Sequence, residues 1–336
     1  MSTASVVPET RDLGGDDAWR VLRRRPIKET VVESVMRFRW ADGFSSSRAL
    51  AFQIVLALVP AVVLFVGLAE LVGNHAFAET VQNVIASLVP GAADSVIFDA
   101  ARQGATAANN RRDLVALLSG FVAVVVSGTT GFGQIERGAN RIYGVEKDRP
   151  FARKYSVALG MAASSGVLLL SGFVLLAVGR SLGGRVDSSS MRTLWSFGRW
   201  PVGAVALTLA YAIMFRVSPR RKQPSLSWLA FGAGSAVALN VVLSLALSLY
   251  LKVSGGFGRT YGPLAGLLGV MVWAYAVSIG LFLGVAFAAQ LEAVRAGQSE
   301  PQSDEKVDRT EPTSETTPQT DRPDEHSPFV EAMLER

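Results

Sequence analysis

Cysteine is absent from the 336 residues, and histidine occurs only twice. Without cysteine there is no disulfide, no thiolate nucleophile and no cysteine-ligated metal. His75 lies between two apolar runs and His326 lies in the terminal tail. Those positions exclude a shared metal site or an acid–base pair. Charged residues make up 18%, against about 25% in soluble domains. Walker A, nucleophile-elbow and HExxH patterns are missing. Thr129-Thr130-Gly131-Phe132-Gly133 is glycine-rich but sits inside an apolar run with no strand before it, which argues against a phosphate cradle. The expectation is a protein that is not an enzyme, with no catalytic residue, no cofactor, no metal and no nucleic-acid partner.

What the chain does have is apolar length. Six windows carry no charge: Ala49–Ala69, Leu114–Ile135, Ser156–Gly179, Trp200–Phe215, Gln223–Leu251 and Thr260–Leu291. About 20 apolar residues at about 1.5 Å each cross a hydrocarbon core of about 30 Å. In lipid each segment must close its own backbone hydrogen bonds, so each is expected to be a helix. The predicted class is all-α: a polytopic membrane protein with six transmembrane helices. The first window is too long for a signal h-region, so it is expected to stay as an anchor. The fourth is short, and Arg199 and Arg216 at its ends are expected to snorkel to the interfaces.

Lys and Arg set the orientation. With the N-terminus inside, 24 of them fall on the cytoplasmic side and 9 outside. Both termini are then expected on the cytoplasmic side. From Glu300 to Arg336 the chain carries 11 acidic and 4 basic residues, whereas the remainder carries 29 basic and 17 acidic. A basic body suits anionic headgroups, and membrane lipids are the expected partners, with a homo-oligomer left open.

Three organisational units follow: a flexible basic N-terminus (1–26), a transmembrane domain (27–295) and a disordered acidic tail (296–336) that cannot bury enough apolar surface to fold. Ile27, Val31, Val35 and Phe38 recur at helical spacing beside arginines. They predict either a basic amphipathic helix on the inner leaflet or a cytoplasmic helix packed on the bundle. Between spans 1 and 2, Phe77–Leu88 and Val96–Ala100 predict two short extracytoplasmic helices separated by Pro90-Gly91.

Polar groups near lipid are functional suspects. Gln134, Glu136, Arg137, Asn140 and Arg141 cluster at the cytoplasmic end of span 2. On a helix Glu136 and Asn140 share one face, and Arg137 and Arg141 another. Glu136 could pair with either arginine. The cluster reads as a polar gate or headgroup site, or as interfacial charge that orients the helix. Glu70 is expected near the outer interface. Asn240, mid-span, reads as interhelical glue. Gly128, Gly131 and Gly133, then Gly232 and Gly234, and the GxxxG pairs Gly262/Gly266 and Gly280/Gly284 predict close helix approach. Pro60 predicts a kink in span 1.

Several stretches resemble the BrkB/YihY family of bacterial inner-membrane proteins. They are Ala49-Leu50-Ala51-Phe52 with Leu58-Val59-Pro60; Asn140-Arg141-Ile142-Tyr143-Gly144-Val145 with Arg149-Pro150-Phe151; and Tyr261-Gly262-Pro263-Leu264-Ala265-Gly266 with Trp273-Ala274-Tyr275, Gly284 and Leu291-Glu292. The resemblance implies six helices with both termini inside, and carries links to serum resistance and lipid export. It also carries an old ribonuclease label, against which the residue census stands. The chain departs from the family pattern at Ala286, Ala288 and Gln290, which weighs against ion coupling there. The expected function is transport or flipping of a lipid or amphiphilic envelope component. The alternative is a non-catalytic envelope scaffold.

Overall fold

A computed structural model describes residues 4–10, 13–71, 94–109, 114–145, 149–169, 171–172, 189–253 and 264–302. Among these the protein is all-α, apart from one antiparallel bridge between Ala4 and Gln302. We number the helices α1 (Gly15–Arg24), α2 (Ile27–Trp40), α3 (Gly43–Leu71), α4 (Asp94–Asn109), α5 (Leu114–Ile142), α6 (Phe151–Met161), α7 (Ser189–Val217), α8 (Leu226–Val253) and α9 (Leu264–Arg295).

Five of them are long and apolar enough to cross a membrane: 43–68, 118–142, 197–217, 226–250 and 266–295. The third predicted window begins in α6, passes through a π-helical turn at Ala162–Gly166 and continues to residue 169. Much of its second half lies outside the described residues. Span 4 needs correction. Its helix is 29 residues long, not the 16 that the uncharged window implied. Arg199 does not end it: the side chain is buried, with its guanidinium 5.4 Å from the Trp200 ring.

α9 is the central element. Half of its spanning window is buried, against 22–33% for the other four. Small residues let its neighbours approach. A Cβ on Gly284 would stand 2.5 Å from Ala236 Cβ and 2.6 Å from the Gly232 carbonyl. At Gly280 it would meet Asn240 Oδ1 at 1.8 Å, so the α8 amide occupies the glycine's missing side chain. Gly266 is buried, while Gly262 lies outside the described residues. α3 is unbroken through Pro60. Of the two helices expected after span 1, the first falls outside the described residues. The second is α4, and it lies along α3: a Cβ on Gly104 would come within 2.5 Å of the Val63 carbonyl.

The starts of α3 and α8 and the ends of α5, α7 and α9 meet at one end of the bundle, termed basal here. α2 lies there with its polarity reversed. Thr30, Ser34 and Arg37 face the protein, while Ile27, Val31, Val32 and Val35 are exposed. Phe38 alone of the predicted stripe is buried, edge-on to Phe44 at 4.9 Å. Asp42, in the left-handed region with φ 57°, makes the corner into α3, a conformation that aspartate tolerates.

Composition predicted a flexible basic arm over residues 1–26, of which 1–3, 11 and 12 lie outside the described residues. Residues 4–10 form a strap across the basal end. Val7 N–H donates to the Tyr143 carbonyl (3.2 Å) and Ser5 N–H to the Pro301 carbonyl (3.0 Å). Gly144, with φ 72°, lets Val6 pass; a Cβ there would be 2.8 Å from Val6 Cα. α1 follows, burying Ala18 and Val21. The described residues run to Gln302, and the rest of the expected tail lies outside them.

Candidate functional site

The basal end gathers buried charge in two groups. In the first, Glu136 is fully buried, and Arg149 Nη1 lies 3.1 Å from its Oε2. The approach is electrostatic, because the N–H groups of Arg149 point elsewhere. They donate to the carbonyls of Ser218 (2.8 Å), Val217 (3.0 Å) and Pro219 (3.0 Å). Arg149 therefore caps the end of α7, where unpaired carbonyls and the helix dipole favour a cation. One turn on, Asn140 Oδ1 accepts from the Arg220 backbone N–H at 2.7 Å.

The second group joins α2, α9, the strap and the α7–α8 turn. Arg37 is buried; its Nε donates to Gln290 Oε1 (2.8 Å), Nη1 to the Ser5 carbonyl (2.9 Å) and Nη2 to Ser5 Oγ (2.9 Å). Gln290 Nε2 passes the chain on to Glu33 (2.9 Å), which takes both arms of Arg25. Glu292 Oε1 accepts from Arg221 Nη2 (2.7 Å) and from the Thr10 hydroxyl. Arg221 Nη2 also reaches the Pro8 carbonyl at 2.9 Å, and its guanidinium stacks 4.6 Å over Tyr143. Burial lowers the Arg37 pKa to about 10, partly offset by Tyr143 and Glu33. Burial also pushes the Tyr143 phenol well above its ordinary value, with Glu292 adding to the shift. At neutral pH Arg37 thus stays charged and Tyr143 neutral.

The predicted cluster is split by this geometry. Glu136 and Asn140 point inward on one face, as the helical spacing requires. Arg137 is exposed, Gln134 half-buried, and Arg141 pairs with Asp42 at 2.9 Å. Glu136 pairs with neither predicted arginine. Arg149, thirteen positions away, takes that place while it holds the carbonyls at the end of α7. Arg37, Arg221, Gln290 and Glu292 were missed as site residues. Glu292 is the first charge after a 32-residue apolar run, which is the one signal that could have marked it. The side chain of Glu70, and both histidines, lie outside the described residues.

Adjoining the basal polar layer, between α3, α5, α7 and α9, lies a cleft of about 270 Å³. Leu50, Ile135 and Leu281 line its basal end, and Ala57, Tyr211 and Trp273 its far end. Among the described residues no carboxylate, lysine or arginine lines it; the polar groups are Gln53, Ser127, Ser278 and the Tyr211 hydroxyl. That hydroxyl accepts from Asn240 Nδ2 at 2.9 Å.

Comparison with known proteins gives concordant matches. The family model described as virulence factor BrkB matches residues 34–309. The chain is 26% identical over 258 residues to the ribonuclease-like protein YfkH of Bacillus subtilis (strain 168), covering 75% of this chain and 91% of that protein. It is 27% identical over 286 residues to a UPF0761 membrane protein of Verminephrobacter eiseniae (strain EF01-2), covering 82% of this chain and 65% of that one. It is 26% identical over 195 residues to the UPF0761 membrane protein IL2447 of Idiomarina loihiensis, covering 58% and 67%. No solved structure matches significantly.

Proposed function

The chain belongs to the virulence factor BrkB family of integral membrane proteins, and from that premise we propose that it moves a lipid or another amphiphilic envelope component across the bilayer it spans. One observation carries the reading: an apolar cleft lies among four spanning helices, directly beside a buried polar layer. That order of surfaces matches an amphiphile, with its chain among Leu50, Ile135 and Leu281 and its headgroup toward Glu136 and Arg149. Headgroup charge can be balanced there at lower cost than in hydrocarbon.

The proposal assigns no catalytic residue, cofactor or nucleic-acid ligand. It takes the membrane to be the bacterial inner membrane and the basal end to be cytoplasmic. The positive-inside count supports the second point, and the pairing of Ala4 and Ser5 with residues 300–302 at that end supports both ends lying on one side.

Proteoliposomes test the reading. The purified protein should accelerate movement of labelled phospholipid between leaflets relative to empty liposomes, and Glu136→Ala should slow it. Absence of flux for every lipid class would remove the transport reading.

A second reading, the non-catalytic scaffold, draws on α1, whose outer face exposes Trp19, Arg20, Arg23 and Arg24. It predicts that neutralising those arginines removes a partner protein from the purified complex while leaving the lipid assays unchanged.

A further inference from the structure

The strap over residues 4–10 brings oxygens but no charge to the buried layer. Its one carboxylate, Glu9, is exposed and accepts from the Lys222 backbone N–H at 3.3 Å. Its apolar anchorage is slight: Ala4 and Val7 are buried, whereas Val6 is 64% exposed. What holds it is a row of polar contacts to Arg37, Tyr143, Arg221 and Glu292.

Within that row Ser5 occupies a particular seat. Arg37 Nη1 donates to the Ser5 carbonyl and Nη2 to Ser5 Oγ, both at 2.9 Å. The two N–H groups at the end of the guanidinium thus take two oxygens of one residue. Arginine holds a carboxylate or a phosphate by the same fork, but here the oxygens are neutral. The other acceptors of Arg37, Gln290 Oε1 and the Ile142 carbonyl, are neutral as well. Among the described residues no carboxylate pairs with it.

Arg221 is close by. It stacks over the ring of Tyr143, the residue after the Ile142 carbonyl that Arg37 reaches at 3.3 Å. Its side chain is 3% exposed, and its Nε and Nη1 donate to no described protein group. Glu292 is the one carboxylate for these two guanidinia, because Glu33 is held by both arms of Arg25. One positive charge is left in excess, and a buried cation without a counter-charge is costly. An oxyanion would supply that charge. A carboxylate has two oxygens, and the fork of Arg37 would take both. A phosphate group leaves a further oxygen for the idle donors of Arg221.

We propose that residues 4–10 are a releasable latch over a phosphate-binding site: Ser5 holds the seat on Arg37 that a phosphate group takes when the strap lifts, with Arg221 as the second cation. The site is separate from the Glu136–Arg149 pair and from the apolar cleft, and it does not depend on transport. A lipid headgroup and a free phosphate offer the same oxygens, and experiment separates them.

The latch can be locked. Ala4 and Gln302 form an antiparallel bridge flanked by the hydrogen bond from Ser5 N–H to the Pro301 carbonyl, so the two are a non-hydrogen-bonded pair. Such pairs bring Cα atoms to about 4.5 Å, within reach of a disulfide. Ala4→Cys with Gln302→Cys in the full chain, which has no other cysteine, closes the strap on oxidation and frees it on reduction. The same protein then serves as its own control. In one arm, binding of radiolabelled inorganic phosphate to the detergent-solubilised protein is measured by equilibrium dialysis. In the other, phosphatidylglycerol bound to the protein is titrated by native mass spectrometry. Reduction should tighten binding by about tenfold in at least one arm, a change of about 1.4 kcal/mol. Ser5→Ala removes one of the two rival oxygens from Arg37 and should bind more tightly than wild type in that arm.

A response to inorganic phosphate supports the site and shows that a free solute suffices. A response to phosphatidylglycerol alone supports it and names a headgroup. Equal binding in oxidised and reduced protein, or none in either arm, overturns the proposal. Unchanged or weaker binding in Ser5→Ala does so too, since Ser5 would then not be a rival for the seat. Failure of the disulfide to form would remove the Ala4–Gln302 pairing on which the latch stands, with the same consequence. Lock-sensitive binding without lipid flux keeps the latch and removes transport. Flux without lock-sensitive binding does the reverse.

Discussion

Arg149 stands 3.1 Å from the buried carboxylate of Glu136 while its N–H groups hold three carbonyls at the end of α7. One guanidinium thus neutralises α5 and caps α7. Removing it leaves a buried carboxylate unpaired, which costs about 3–5 kcal/mol in comparable sites. Arg149→Met should accordingly lower the melting temperature in detergent sharply. Glu136→Gln in the same chain should recover part of the loss, because it removes the stranded charge but not the missing cap. Full recovery in the double variant would mean that the cap contributes nothing.

The glycines of α8 and α9 should separate cleanly by surroundings. Gly284→Ala drives a methyl into Ala236 Cβ and the Gly232 carbonyl, neither of which can swing aside. Overpacking of that kind costs about 1–3 kcal/mol. Gly234, on the same α8, has nothing within 4 Å of a Cβ. There, alanine should stabilise by up to about 1 kcal/mol through helix propensity. Chemical denaturation of the two variants checks the contrast, and similar shifts for both would mean that α8 and α9 do not cross at Gly232 and Gly284.

Alkaline titration should expose Tyr143. Its phenol titrates higher folded than unfolded, because burial disfavours the phenolate. The folded state therefore binds more protons above pH 10, and this contribution to stability is complete below 10 and lost as pH rises beyond it. Arg37 works in the opposite sense. Its folded pKa is lowered from its ordinary value to about 10, so its burial cost is present in full below 10 and is relieved as pH rises beyond it. Tyr143→Phe should therefore lose less stability than wild type between pH 10 and 12, while the two melt in parallel between pH 6 and 9. A steeper alkaline loss in Tyr143→Phe would contradict the buried phenol.

The reversed polarity of α2 predicts where its outer face lies. Since the chain has no cysteine, a single Val31→Cys or Val35→Cys offers a unique labelling site. A nitroxide at either position should be more accessible to oxygen, which partitions into lipid, than to a water-soluble nickel complex. A label at Lys28, also exposed, should show the opposite ratio or an intermediate one. Water-like accessibility at both valines would take α2 out of the interface.

Much of this architecture is legible without coordinates, and the polar site is much less so. The apolar windows mark α3, α5, α8 and α9 because lipid permits nothing but a helix there. The inward pairing of Glu136 with Asn140 follows from helical spacing alone. Nothing local indicated that Arg149 would answer Glu136, or that Arg37 would reach Gln290 across 253 positions. The amphipathic stripe of α2 was readable as a pattern, but its direction was not. A stripe has two possible solvents beside a membrane, and here the buried partner of the helix is polar.

Sequence alone determined that this chain lives in a bilayer and that Glu136 and Asn140 share one face of α5. Those properties depend on the solvation of each segment by itself, and hydrocarbon solvates a helix in the same way whatever lies beyond it. Only the tertiary structure decided which charges meet, that the first residues strap the basal end, and that Gly234 borders open space while Gly284 borders backbone. Such facts depend on distances between segments remote in the chain, and no local composition encodes those distances.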